Sequence, residues 1–328
     1  MKFIVQNDIF FGMKARVVVL TILAAVVILG SCSIQEMAMD SVADMLGGTA
    51  AGGSAFTRDD DPKLVGDALP FAIKLYETLL DGSPDHPGLL MATGQLFVMY
   101  SNAYVQTPAD MLPEWEYEKQ EEMYARAKSL YIRGRDYLFR GIEINHPGFS
   151  QALDTGDLEP VFAGMTEEDV PYLYWSAAGW FAAIAINVFD LELTFQIPKA
   201  KALMDRAYEL DPDFGNGTID DFYILFYASM PPDMGGSPEK ARHHFDRAVE
   251  LSGGTNPSPY LSLATTLSIA DQDAEEFIGL LTTALEIDVD ENPDNRLANV
   301  IAQQKARWYL ENMDRFFLTV PEDWEDYK

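Results

Sequence analysis

The chain has 328 residues, 52 Asp or Glu against 23 Lys or Arg, a formal net charge of −29 and a single cysteine. So acidic a chain repels a phosphate backbone, which excludes a general nucleic-acid binder, and a lone cysteine excludes an intrachain disulfide. With 48% apolar and 12% aromatic residues, the composition is also far from that of a disordered polymer.

At the N-terminus, Met13 is a better start than Met1, because Lys14 and Arg16 then form a short basic region ahead of Val17 to Leu29, which carries no charge. That run is too short to cross ~30 Å of hydrocarbon as a helix and suits the apolar core of a signal peptide. Leu29-Gly30-Ser31-Cys32 follows at once. The tetrapeptide resembles a bacterial lipoprotein signal, which implies removal of residues 1–31 and a diacylglycerol on Cys32. The competing reading is a free thiol beside an anchor helix. Residues 32–58 include Gly47-Gly48 and Gly52-Gly53-Ser54 and read as a lipidated flexible tether. Asp61 is the expected N-cap and Pro62 the first helical residue of a helical domain spanning 59–328.

Along that domain, Ala72, Tyr76 and Leu79, closed by Pro84, predict a first helix, and Leu90, Gly94 and Phe97 its partner. A long helix is predicted from about Glu116 to Ile144, and Val170 to Phe189 is a run without charge. Pro171, Asn187 and the acidic flanks argue against a membrane span there and for a helix buried on all sides. Residues 200–210 and 241–251 then repeat with six of eleven positions identical, among them Arg206/Arg247, Ala207/Ala248 and Leu210/Leu251. Weaker copies run from Gly134 to Ile144, keeping Arg140, and from Phe277 to Ile287, keeping Ala284. Each copy is followed by a partner helix with a large, then a small, then an apolar residue: Trp175, Gly179, Ala182 and Tyr260, Ala264, Leu267. Asp211-Pro212 and Gly253-Gly254 end the two strong copies. No stretch alternates long enough for a sheet.

The repeated unit resembles the tetratricopeptide repeat, a helical hairpin. Its spacings are irregular, with insertions expected around 106 to 133 and 146 to 170. The expected fold is therefore all-α, an irregular tetratricopeptide-like helical-hairpin solenoid. Lipobox, tether, irregular repeats and acidic body together resemble the T component associated with TRAP transporters, over most of residues 60 to 315. The resemblance implies a periplasmic lipoprotein anchored to a bacterial membrane, partnership with a substrate-binding P subunit and indirectly with membrane subunits, homo-oligomers of trimer type, and a cavity or pore through the body.

Two constellations carry the expected sites. Tyr172, Trp175 and Trp180 lie in the run without charge, and Tyr223, Phe226 and Tyr227 on the next partner helix. These six read either as core packing or as the facing walls of a pocket for a small apolar or amphipathic ligand, such as a carboxylate. Lys119, Arg126, Arg133 and Arg140 recur every seven residues on the long helix. They read either as a solvated face, with Glu122 and Asp136 pairing to Arg126 and Arg140 four residues on, or as a docking stripe for an acidic partner. His86 and His146 precede prolines and His243-His244 diverge on one helix, so no metal is expected. No nucleophile elbow, zincin motif or phosphate loop is present, so no catalytic residue and no cofactor are expected. The alternatives that stay open are a repeat scaffold in envelope assembly and a glycan-capturing lipoprotein. The C-terminal Trp324 and Tyr327 fit either a last packed segment or a subunit contact.

Overall fold

The computed structural model describes residues 53–321 and 324. Cys32, the signal segment and most of the expected tether lie outside the described residues. Helix α1 (Pro62–Gly82) starts as the sequence predicts: the Asp61 carboxylate accepts the Leu64 N–H at 3.0 Å, and Pro62 fills a first-turn position that needs no N–H. Helix α2 (Pro87–Ser101) is capped by His86 Nδ1, which accepts the Leu89 N–H at 3.2 Å. It runs on through a π-turn at Asn102–Gln106 into Thr107–Asp110. Helix α3 (Tyr117–Asn145) follows within one residue of the predicted ends. The insertion expected around 146 to 170 holds the short helices Phe149–Thr155 and Glu159–Phe162.

Helix α4 (Val170–Ile186) is the run without charge. It is wedged between α3 and α5 (Ile197–Leu210), with α2 also against it. No helix among the described residues is long and apolar enough to cross a membrane. Then come α6 (Thr218–Ser229), α7 (Pro238–Leu251), α8 (Ser258–Leu263), α9 (Ala274–Glu286) and α10 (Arg296–Glu311). Ser237 caps α7 by accepting the Lys240 N–H at 3.2 Å. A second π-turn, Ala264–Ser268, extends α8 to Ile269–Asp271. No strand occurs among the described residues, and the fold is all-α.

The repeat has a physical content at two of its positions. The small residues Gly141, Ala207, Ala248 and Ala284 are all buried, where the next helix crosses closely. At Gly141 even a methyl group would come within 2.2 Å of the Tyr172 ring. In three of the four copies an arginine one residue earlier reaches back to a main-chain carbonyl of an upstream segment: Arg140 to Pro84 at 2.7 Å, Arg206 to Phe162 at 2.9 Å, Arg247 to Pro212 at 3.3 Å; Thr283 takes that place before Ala284. These carbonyls lie at turns and helix ends, and the guanidinium donates to each, adding to the Met165 N–H at Phe162.

The two ends of the chain of hairpins meet. Leu297 of α10 is buried among Val65, Leu69, Ile73 and Leu90 of α1 and α2, and Ile301 packs on the same cluster. The turn Gly53–Thr57, inside the stretch read as tether, packs Phe56 there too. Arg58 pairs with Asp294 at 2.6 Å and Arg296 with Asp60 at 3.1 Å. An open solenoid has no contact between its first and last hairpins; here they share one apolar cluster, so the helices close into a ring. Trp324 packs against the cluster of α9 and α10.

Candidate functional site

The ring brings together polar side chains that are distant in sequence and enclosed by protein. Lys305 of α10, Tyr174 of α4 and Asp221 of α6 are half-buried, and burial shifts the pKa of each. Lys305 senses the charges of Asp110 and Asp221, and Tyr174 that of Asp221, so these groups lie near one another. Asp110, at the end of the α2 extension, and Tyr309 of α10 are nearly as enclosed and likewise keep accessible area.

Their hydrogen bonds show which groups are satisfied. Tyr124 of α3 donates to Asp110 at 2.8 Å, and Ser258 at the start of α8 donates to Asp221 Oδ2 at 2.6 Å. Asp221 Oδ1 is buried without a partner. Tyr131 donates to Gln106, within the first π-turn, at 2.7 Å. Lys305 has no hydrogen-bond, ion-pair or ring partner among the described residues.

Electrostatics follow from this enclosure. Burial lowers the pKa of the Lys305 ammonium, while Asp110 and Asp221 oppose the shift. Burial raises the Asp110 carboxyl, against the Tyr124 hydrogen bond and the charge of Lys305. Burial raises Asp221 as well, against its serine hydrogen bonds and Lys305. The Tyr309 phenol is pushed up to about 12 by burial and by the charge of Asp110. Tyr124 and Tyr174 are raised too, by burial first and then by Asp110 and Asp221 respectively.

The aromatic residues expected from sequence divide between core and interior. Tyr172, Trp180, Tyr223 and Phe226 are buried. Their polar tips are taken up inside the fold: Tyr172 donates to the Pro87 carbonyl at 2.6 Å, Trp180 to Gln196 at 3.0 Å and Tyr223 to Asp205 at 2.6 Å. Tyr227 is half-buried and stacks on Tyr223 and His244. His244 in turn meets Asp220 at 2.6 Å, a fully buried carboxylate that Arg247 also faces. Trp175 is half-buried and packs on Tyr174, whose other side meets Phe214. Trp175 also packs against the core clusters of α2, α3 and α4, while Tyr174 senses the charge of Asp221.

The basic stripe lies on the exposed face of α3, tied to neighbouring groups. Lys119 pairs with Glu116 at 2.7 Å. Arg126 lies over the Tyr100 ring, and Arg133 pairs with Glu77 while lying over Phe97. Arg140 holds the Pro84 carbonyl and covers Tyr137. The expected pairs of Glu122 with Arg126 and Asp136 with Arg140 do not form among the described residues; rings, carbonyls and carboxylates on α1, α2 and the turn between them take these cations, and Asp136 pairs with Arg135 at 2.7 Å. Between α1 and α3, Lys74, Glu77, Arg133, Tyr137 and Arg140 line an open hollow of about 510 Å³.

Sequence reasoning missed Asp110, Tyr124, Asp221, Lys305 and Tyr309. Asp221 sits in the first turn of a helix, where an acid is unremarkable. Lys305 stands one residue before the buried Ala306 and four before Tyr309 on α10; that lysine beside an apolar stripe was the available signal.

The family model described as "TRAP transporter T-component" matches residues 58–317, nearly the whole of the ring. An uncharacterized protein of Treponema pallidum (strain Nichols) is 34% identical over 309 residues, which cover 90% of this chain and 96% of its own. A match over most of the chain and a relative of the same length settle the question of kinship: the chain belongs to the TRAP transporter T-component family.

Proposed function

We propose that this chain is a non-catalytic accessory lipoprotein of a periplasmic TRAP-type solute transporter. Acyl chains on Cys32 hold it at a bacterial membrane, the body docks a substrate-binding P subunit, and the ring interior holds or passes an apolar or amphipathic ligand with an acid head. The observation that carries the ligand part of this reading is the enclosed cluster of Lys305, Asp110, Asp221, Tyr174 and Tyr309 inside a closed ring of helices. A protein with no ligand gains nothing from enclosing an unpaired ammonium, because removing a charge from water costs several kcal/mol unless it is paired. The aromatic rings of Tyr174, Trp175 and Phe214 supply an apolar wall beside those charges, which is the composition of a small-molecule site. The family supports association with TRAP components, and assembly as a trimer would set several such rings side by side.

The test is a pull-down from envelope extract with the lipid-anchored chain, read by proteomics and by native mass spectrometry of the recovered complex. The expected result is a P subunit in the eluate and a bound small molecule released from the body. Recovery of neither would overturn the reading in favour of a scaffold with an idle interior. For docking, Lys119→Glu with Arg126→Glu reverses charge on the exposed part of the α3 stripe whose partners are local, leaving the fold-holding Arg140 in place. That variant should slow association with the P subunit at low salt and lose most of the difference at high salt.

A further inference from the structure

The segment that joins α4 to α5 turns large apolar side chains to solvent at close spacing: Val188 is 53% exposed, Phe189 88%, Leu191 61% and Phe195 78%. None of these belongs to an apolar cluster of the core among the described residues, whereas Leu193 between them packs inward. The backbone of the segment is nevertheless fixed. Asn187 Oδ1 accepts the Phe189 N–H at 3.1 Å, and the Thr194 hydroxyl donates to the Val188 carbonyl at 2.9 Å. The Asp190 carboxylate accepts the Leu193 N–H at 3.3 Å while pairing with Lys128 of α3. The apolar side chains are thus held outward on a built turn. The direction of the hairpins fixes what lies at the same end. Helices α1 and α2 run antiparallel, with Gly66 near the start of α1 against Tyr104 just past α2. Helices α2 and α3 do so too, with Gly94 against Leu138 and Gln106 against Tyr131. So do α3 and α4, with Gly141 against Tyr172 and Lys128 against Asp190. The end of α4 therefore lies at the same end of the body as the start of α1, and so as Gly53, where the described chain begins.

We propose that residues 188–195 form a membrane-contact element, whose Val188, Phe189, Leu191 and Phe195 side chains enter the outermost layer of the bilayer to which Cys32 is tethered. This rests on the reading of Cys32 as acylated. Residues 33–52 separate that anchor from Gly53, a reach of at most about 70 Å when fully extended, so the acyl chains and the apolar turn act on the same end of the body. Two attachments on one body reinforce each other, because the first holds the second at a high local concentration beside the surface. A turn enters an apolar layer only when its main-chain polar groups are already satisfied, and the bonds to Asn187, Asp190 and Thr194 serve that condition. The charged residues of the segment are Asp190 and Glu192, with no cation, which suits a zwitterionic head group and disfavours an anionic one. The contact also orients the body: the α4–α5 turn faces lipid, and the opposite end of the hairpins, with Phe149–Thr155, faces away.

The experiment uses the full chain, purified with its lipid anchor and placed in phosphatidylcholine nanodiscs. The lone cysteine carries the anchor, so Val188→Cys takes a nitroxide label at one place, and Gln151→Cys, exposed at the far end, is the control. Collision with oxygen relative to a water-soluble nickel chelate should be at least about threefold higher at position 188 than at 151. Adding Phe189→Ser and Phe195→Ser should bring the ratio at 188 down to that of the control. Both rings are exposed, so the melting curve should stay where it is. Intact mass of the same samples reports acylation of Cys32 independently. An acylated chain whose label at 188 is as open to the chelate as the label at 151 would overturn the membrane contact and leave the anchor standing. A label at 188 shielded from oxygen and chelate alike would put protein, such as a second copy of the chain, over the turn and would overturn the contact as well. A chain that carries no acyl group and does not stay with the nanodiscs would overturn the anchor reading, and the contact with it.

Discussion

An enclosed ammonium is a liability to the fold, and the sign of its effect can be worked out. Burial holds the Lys305 pKa below the ordinary 10.5, so between its folded value and 10.5 the unfolded chain binds more protons than the folded one. Stability therefore rises with pH across that window, by up to about 1.4 kcal/mol per pH unit, and the cost is fully present below it. Lys305→Met removes the charge and should stabilise the protein at pH 7 by an amount on the order of 1–4 kcal/mol, a gain that shrinks as pH approaches 10.5. Denaturant titrations of both proteins at pH 7, 9 and 10.5 check this; a gain that stays constant with pH would show that packing, not charge, is responsible. Asp221 shifts the other way. Its carboxyl is raised above 3.8 by burial, so its cost is absent below that value and sets in as pH rises through the folded pKa. Asp221→Asn should accordingly stabilise at pH 7 and give no gain near pH 4, provided the amide oxygen still accepts from Ser258. A protein tuned only for stability would carry neither group where they stand. Retaining both beside an aromatic wall is the pattern expected where function opposes stability.

At the scale of single helices and hairpins, the repeat read from sequence turns out to be a rule about two adjacent positions. The small residue admits the crossing helix and the arginine before it binds an upstream carbonyl. Arg206→Ala should cost about 1 kcal/mol, since it removes the second donor to the half-buried Phe162 carbonyl, which keeps the Met165 N–H, and the ion pair to Glu209. A shift of the urea midpoint without a change in slope is the expected reading. The glycines divide by the same logic. Gly141→Ala places a methyl group 2.2 Å from a Tyr172 ring that is itself fixed by its bond to Pro87, so it should destabilise by about 1–3 kcal/mol. Gly279→Ala, in the interior of α9 with open space around it, should stabilise by about 0.5–1 kcal/mol through helix propensity alone. These elements were legible because helix starts and crossings depend on local chemistry: Asp61-Pro62, Ser237-Pro238 and the spacing of Ala207 and Ala248 are all visible in one stretch of chain. What escaped was anything that depended on which side of a helix faces the interior. Tyr172 and Trp180 look like pocket residues in a list of aromatics, but their hydrogen bonds to Pro87 and Gln196 place them in the core. Tyr174 lies near Asp221 instead.

For the molecule as a whole, closure is the property that no local pattern announced, because it depends on contacts between residues more than two hundred positions apart. Hairpins that stack by a fixed rule form an open superhelix unless something fixes how far it turns, and the two long insertions change the spacing between hairpins. Here the turn is completed when Leu297 enters the α1–α2 cluster and Arg58 and Arg296 pair across the seam. The apolar contact carries most of the weight, since Arg58, Asp294 and Asp60 are solvent-exposed, with Arg296 alone partly buried, and such pairs contribute at most about 1 kcal/mol. Leu297→Ala should therefore cost about 2–5 kcal/mol, whereas Arg58→Ala and Arg296→Ala should each cost well under half of that. The informative measurement is hydrogen exchange resolved along the chain. In an open repeat array, a lesion in the last helix frays that end and leaves the first hairpin protected, because each unit contacts only its neighbours. In a closed ring, the last helix is also a neighbour of the first, so Leu297→Ala should lower protection in α1 and α2 together with α10 while α4 to α6 keep theirs. Protection lost from α10 alone would mean that the seam contributes little and that the interior can open there. Loss at both edges of the seam would make the seam the weakest contact of the ring, the place where it opens without unfolding the rest.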